Sequence, residues 1–174
     1  MRTRTTLRPA AESDRDFLFR VYASTRTEEL AAVPWSAEEK EAFLRFQFKA
    51  QSTYYDDVFQ NAEFSVVELQ GEPIGRLYVD RREDEIRLID IALLPAHRGS
   101  GLGGELMADI LAEGQRKGLL VRIHVEHNNP AMHLYRRLGF EKIEEQGVYW
   151  LMEWTPPTKA PSVQAERQEE SFDV

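Results

Sequence analysis

Hydrophobic positions follow two rhythms along this chain. The first third carries helical spacing and the remainder carries strand spacing, broken by two further helical runs. Thr5 to Arg8 predicts a short strand ended by Pro9. Ser13 or Asp14 can cap a helix whose apolar face holds Phe17, Leu18, Val21 and Tyr22. Glu28 to Trp35 reads as a loop stopped at Pro34. Ser36-Ala-Glu-Glu39 spells a capping box, with Phe43, Phe46 and Ala50 on one side of the helix it opens. Ser52 to Ala62 is polar and aromatic, and reads as a loop.

From Phe64 onward the period is mostly two. Phe64 to Leu69 and Ile74 to Val79 predict a hairpin turning at Gln70-Gly-Glu-Pro73. Glu85 to Leu93 is apolar on both sides, as a central strand should be. Leu102 to Lys117 returns to helical spacing, with Leu106, Ile110 and Leu111 inward and Gly118 at its C-terminal end. Leu120 to Glu126 predicts a strand and Ala131 to Leu138 a short helix. Glu141 to Gln146 and Val148 to Trp154 predict a last hairpin around Gly147.

Composition narrows the class. The chain has 174 residues, a formal net charge of −8 and no cysteine. This length suits one domain with its own core. The acidic balance argues against a nucleic-acid partner, which wants a basic footprint. No apolar run reaches the length of a membrane helix and no signal peptide is visible, so a cytoplasmic protein without a membrane partner is expected. The absence of cysteine excludes a thiolate metal site and a cysteine nucleophile. His124, His127 and His133 do not form a metal motif, and no metal is expected. Pro156 to Val174 differs in composition and is expected to be a disordered tail behind a domain spanning residues 1–155.

Candidate chemistry concentrates at Arg98-Gly-Ser-Gly-Leu-Gly-Gly104, between the central strand and the long helix. Glycines there let backbone N–H groups approach an anion, and a helix N-terminus adds partial positive charge. The spelling also fits a dinucleotide fingerprint, Gly99-x-Gly101-x-x-Gly104, with Glu126 22 positions further on. Against that reading, Pro95-Ala-His-Arg98 separate the strand from the glycines, and the preceding strands look like antiparallel hairpins. A Walker A loop fails because no Lys-Ser or Lys-Thr follows.

Arg98, Gly101 and Gly103 resemble the pyrophosphate loop of the GNAT family of N-acetyltransferases. Asn128-Asn-Pro-Ala-Met-His-Leu-Tyr-Arg-Arg-Leu-Gly-Phe140 is similar to that family's second motif. The element order agrees over roughly residues 5 to 154. The resemblance implies an α/β (α+β) fold: a mixed, mostly antiparallel sheet with a V-shaped splay, flanked by about four helices. It implies an N-acetyltransferase moving an acetyl group from acetyl-CoA to a primary amine by direct attack.

The same resemblance assigns roles. Gly99, Ser100, Gly101, Leu102 and Gly103 would offer backbone amides to the pyrophosphate, with Arg98 in the loop. The backbone N–H of Leu93 would meet the thioester oxygen. Tyr135 would protonate the leaving thiolate. The loop before Ala131 is one residue shorter than the common pattern, so either Asn128 or Asn129 would contact CoA. For the base, Asp90 and Glu126 both stand as candidates. Asp90 is expected on the face of Ile86, Leu88 and Ala92, where apolar surroundings would raise its pKa; pairing with Arg76 or Arg87 is the alternative. The acceptor is a small-molecule or peptide amine, and a homodimer stays open. A non-catalytic acyl-CoA-binding module and an NAD(P)-dependent oxidoreductase are the competing readings.

Overall fold

The computed structural model describes residues 5–157. Seven strands form one sheet in the order β1-β2-β3-β4-β5-β7-β6. They are β1 (Thr5–Pro9), β2 (Glu63–Leu69), β3 (Glu72–Arg81), β4 (Glu85–Leu93), β5 (Leu120–Glu126), β6 (Glu141–Gln146) and β7 (Tyr149–Trp154). The helices are α1 (Arg15–Ser24), α2 (Thr27–Ala31), α3 (Ala37–Val58), α4 (Leu102–Lys117) and α5 (Met132–Arg137). Neighbouring strands run antiparallel except β4 and β5. The mixed, mostly antiparallel sheet is the expected one. The expected tail lies outside the described residues from position 158 onward. Among the described residues, no helix is long and apolar enough to cross a membrane.

Two apolar clusters sandwich the sheet. On one face Leu106, Met107 and Ile110 of α4 pack on Ile86, Leu88, Val121 and Ile123. On the other, Phe17, Val21 and Tyr22 of α1 and Leu44 and Phe48 of α3 pack on Val66. Each such side chain, fully buried, contributes roughly 1.5–3 kcal/mol. The capping box forms as spelled: the Glu39 N–H donates to Ser36 Oγ at 3.1 Å and the Ser36 N–H to Glu39 Oε1 at 3.4 Å.

Asp14 anchors the start of α1. Both its oxygens accept from the Arg8 guanidinium at 2.8 Å, and Oδ2 also accepts the Ala11 N–H at 2.8 Å. Arg8 first, then that N–H, hold its carboxyl down at about 2 against an ordinary 3.8. A folded value below the unfolded one stabilises the fold above the unfolded value, and that stability is lost as pH falls toward the folded one. Urea midpoints measured from about pH 5 down to about pH 2 should therefore fall more steeply for the native chain than for Asp14→Asn.

Two segments read as loops are helical. Glu28 to Trp35 contains most of α2, whose first turn carries Glu28 and Glu29, favourable at a helix N-terminus. Ser52 to Ala62 contains the last seven residues of α3, Ser52 to Val58. Nothing between Ser52 and Val58 is Gly or Pro, and Tyr55 falls seven positions after Phe48, on the same helical face.

Two irregularities in the sheet shape the site. The β4–β5 pairing runs from Glu85↔Leu120 to Leu88↔Ile123 and then stops, so the strands diverge beyond that point as a V. The β3–β4 register jumps from Tyr78↔Asp90 to Val79↔Leu88, leaving Ile89 as an extra residue. Such a bulge shifts the phase of the strand. Ile86 and Leu88 before it, and Ile91 and Leu93 after it, all face α4. Asp90 therefore sits on the opposite face, with Ala92, towards α1 and α3. The expectation that Asp90 shares the face of Ile86 and Leu88 is corrected by this one residue.

Candidate active site

The glycine loop takes the shape its sequence demands. Gly99 has φ +73° and Gly101, which precedes the first residue of α4, has φ +87°. Both lie in the left-handed region that side chains resist. A Cβ placed on Gly103 would meet nothing within 4 Å, so the first turn of α4 is open on that side. The first intrahelical bond is Glu105 N–H to the Gly101 carbonyl, 3.0 Å. The N–H groups of Leu102, Gly103 and Gly104 thus have no carbonyl behind them. Among the described residues, no backbone carbonyl accepts from Gly99, Ser100 or Gly101 either. This cluster of donors at a helix N-terminus is suited to a phosphate group. Ser100 Oγ points back to the His97 carbonyl at 2.9 Å.

Arg98 is committed to positioning the loop. Its Nε donates to the Leu93 carbonyl at 2.8 Å and its Nη2 to Ser24 Oγ at 2.9 Å, joining the loop to β4 and to the last residue of α1. A hydrogen bond from a charged group is worth about 1.5–3 kcal/mol. Arg98→Met should weaken acetyl-CoA binding by roughly tenfold, read by calorimetric titration; an unchanged dissociation constant would show that the loop holds its shape without the tether.

Leu93, the expected oxyanion donor, is the last residue of β4. The Leu94 N–H donates to the Ile74 carbonyl of β3 at 2.8 Å. Successive peptide N–H groups alternate in direction along a strand, so that of Leu93 points away from β3, into the splay. The neighbouring backbone approaches closely here: a Cβ on Gly75 would lie 2.3 Å from the Ala92 carbonyl oxygen.

Of the two settings expected for Asp90, the structure shows the arginine pair and not the apolar one. Asp90 is ion-paired with Arg76, which is only 3% exposed. Arg76 also donates to Gln51 Oε1 of α3 at 3.2 Å and stacks near the rings of Tyr78 and Tyr22. Tyr55 stands edge-on to Tyr78, ring centroids 6.0 Å apart, and its phenol is pushed up by burial and then by the Asp90 charge. Tyr135, on α5, is 4% exposed and packs against Phe140 with centroids 5.9 Å apart. Its phenol too is raised by burial first and the Asp90 charge second. The Asp90 charge thus adds to burial in raising phenols on both α3 and α5.

Glu126 ends β5 at the mouth of the splay. Its Oε1 lies 3.3 Å from Arg26 Nη1, which also reaches Glu29 at 3.2 Å. Tyr149 is its register partner on β7, with a phenol raised by burial and then by Glu126. Of the two asparagines, Asn129 uses its side-chain oxygen to accept the Ala131 N–H at 2.8 Å, shaping the entry to α5. Asn128 is exposed beside it. His124 accepts from Arg87 at 2.7 Å through Nδ1, and among the described residues no group of three metal-ligating side chains forms.

Beyond the end of the β4–β5 pairing lie Leu93, with Arg98 bound to its carbonyl, and Glu126 at the end of β5. The model of the acetyltransferase (GNAT) family matches residues 22–140. The chain belongs to that family. This acyltransferase is 31% identical over 68 residues to the ribosomal protein bS18-alanine N-acetyltransferase of Haemophilus influenzae, a match spanning 38% of the chain and 47%, about half, of that relative. It is 24% identical over 146 residues to a putative enzyme of the same name from Bacillus subtilis, spanning 81% of the chain and 83% of the relative. In fold it is similar to the PaiA N-acetyltransferase of Thermoplasma acidophilum solved with coenzyme A, with a TM-score of 0.66 at 18% identity over 87% of the chain and 99% of the neighbour.

Sequence reasoning missed Gln51, Arg26 and Ser24, and placed Tyr55 on a loop rather than on α3. Tyr55 and Gln51 belong to the part of α3 that is hardest to read. Ser24 and Arg26 gave no signal, because their partners lie 74 and 100 residues away. Arg76 had a signal: a charged residue among the apolar positions Ile74, Leu77 and Val79 of a buried strand.

Proposed function

We propose that this enzyme transfers an acetyl group from acetyl-CoA to a primary amine by direct attack in the splay between β4 and β5. The observation that carries the reading is the convergence of a donor-rich helix start, an inward Leu93 N–H and a buried phenol where strand pairing ends. The loop of Gly99 to Gly103 holds the pyrophosphate on backbone N–H groups, with Asn128 the asparagine left free for the ligand. Acetyl-CoA supplies the activated acyl group. The Leu93 N–H donates to the thioester oxygen as negative charge develops there, an effect worth roughly 3 kcal/mol. Tyr135 keeps its proton, because burial and Asp90 oppose a phenolate, and it gives that proton to the departing thiolate.

The amine reaches the splay past Glu126. Glu29 and Glu126 both pair with Arg26 there, and carboxylates at an entrance favour an ammonium. Glu126 stands at the entrance to accept its proton, and Asp90 stands deeper with Oδ2 bound to Arg76. The named activity of the two bS18-alanine relatives supports a protein amine among the acceptors.

The competing dinucleotide reading needs a doubly wound parallel sheet, whereas one parallel pair is present. Thermal denaturation separates the readings. Acetyl-CoA at about 100 times its dissociation constant should stabilise the fold by about 2.7 kcal/mol, and NAD(P) should not. Protection by NAD(P) alone would overturn the assignment of the loop.

A further inference from the structure

We infer that Arg76 is a positioning residue for the transfer: through Asp90 it fixes the segment of β4 that opens the splay and aims the Leu93 N–H. The inference rests on the acetyl-transfer reading above. Asp90 directly follows the bulge residue Ile89, and β4 no longer runs beside β5 beyond Leu88. A bulge locally removes ladder pairing, so the phase of the strand after it needs another constraint. The Arg76–Asp90 pair supplies one. In register, Arg76 faces Ala92 and Tyr78 faces Asp90, so the bridge is a diagonal cross-strand pair over the irregular stretch.

Arg76 is itself held from three elements. Gln51 of α3 accepts from its Nη2 at 3.2 Å, and its guanidinium carbon lies 5.1 Å from the Tyr78 ring centre on β3 and 5.9 Å from that of Tyr22 on α1. Stability alone explains this poorly. Apolar replacement of a buried ion pair is often neutral or stabilising, and here Arg76 Nε is buried with no hydrogen-bond partner. Geometry is what the pair provides. Leu93 lies three residues beyond Asp90, and its N–H points into the splay only in the phase the bulge sets.

Kinetics on Arg76→Met, Arg76→Lys, Asp90→Asn and the double Arg76→Met/Asp90→Asn test this, read by free-thiol release, with acetyl-CoA affinity by calorimetry. Arg76→Met should lose about 100-fold in kcat, the scale of a misplaced reacting group, with the acetyl-CoA dissociation constant essentially unchanged. Arg76→Lys keeps the charge without the fork and should recover about tenfold of that loss. The double variant should be no slower than Asp90→Asn, because Arg76 acts through Asp90. Multiplying losses in the double variant, no recovery with Lys, or loss of acetyl-CoA affinity in step with kcat would overturn the inference.

If Arg76→Met does not fold, Arg76→Lys and Asp90→Asn carry the same comparison. If the native enzyme acetylates no amine, the functional reading fails, but amide hydrogen exchange across Ile89–Leu93 still decides this one. Faster exchange there in Arg76→Lys, with α4 unchanged, supports positioning; identical exchange overturns it.

Discussion

Tyr135→Phe should lower kcat by roughly 100- to 10,000-fold while the dissociation constant for acetyl-CoA stays where it is. The substitution removes one oxygen and little else. The ring packs edge-on against Phe140 within the core beneath the sheet, and phenylalanine fills the same space. The lost group is a phenol that burial and the Asp90 charge keep protonated at neutral pH. Its proposed task is to deliver that proton when the thiolate leaves. A loss of less than about tenfold, or an equal loss of acetyl-CoA affinity, would return Tyr135 to the role of a core side chain. Measuring thermal unfolding on the same sample separates lost chemistry from lost structure.

Gly75→Ala should be the most damaging single methyl group near the site. The added carbon would sit 2.3 Å from the Ala92 carbonyl oxygen and 2.7 Å from Leu93 Cδ2. Neither contact is tolerable, and the nearer one is backbone, which cannot rotate away. β3 or β4 must move, and overpacking of this kind costs about 1–3 kcal/mol. The displaced residues include Leu93, whose N–H is the proposed oxyanion donor. Stability and kcat should therefore fall together, whereas acetyl-CoA, held by the loop further on, should still bind. Gly71 offers a control: a Cβ there meets no atom within 4 Å, although its φ of +81° adds strain. Gly71→Ala should lower stability without a specific loss of turnover. Equal kinetic effects at both positions would contradict the placement of Leu93.

Much of this site was legible in the residues. Gly99 to Gly103 announced a glycine loop opening a helix, Ser36 and Glu39 announced a helix start, and the apolar run to Leu93 announced the central strand. Their signals are local, set by φ, by capping and by burial on both faces. Asp90 could not be placed that way. Ile86, Leu88, Asp90 and Ala92 read as unbroken period two, and only the register against β3 shows that Ile89 is extra. Arg98 was legible as part of the loop but not in its role. Its guanidinium donates to Leu93 and Ser24, partners that the fold supplies. The helical place of Tyr55 was hidden because a polar, aromatic stretch carries no apolar stripe, although its seven-residue spacing from Phe48 continues the helix.

The central claim is that the splay between β4 and β5 moves an acetyl group from acetyl-CoA to an amine. An acceptor screen tests it most directly: acetyl-CoA is offered with peptides bearing free N-termini, lysine-containing peptides, polyamines and small amines, and free thiol is followed together with the mass of the acceptor. Thiol release matched by a gain of one acetyl group on a primary amine is the expected result. Tight acetyl-CoA binding with no thiol release and no acetylated product across all these classes would contradict it.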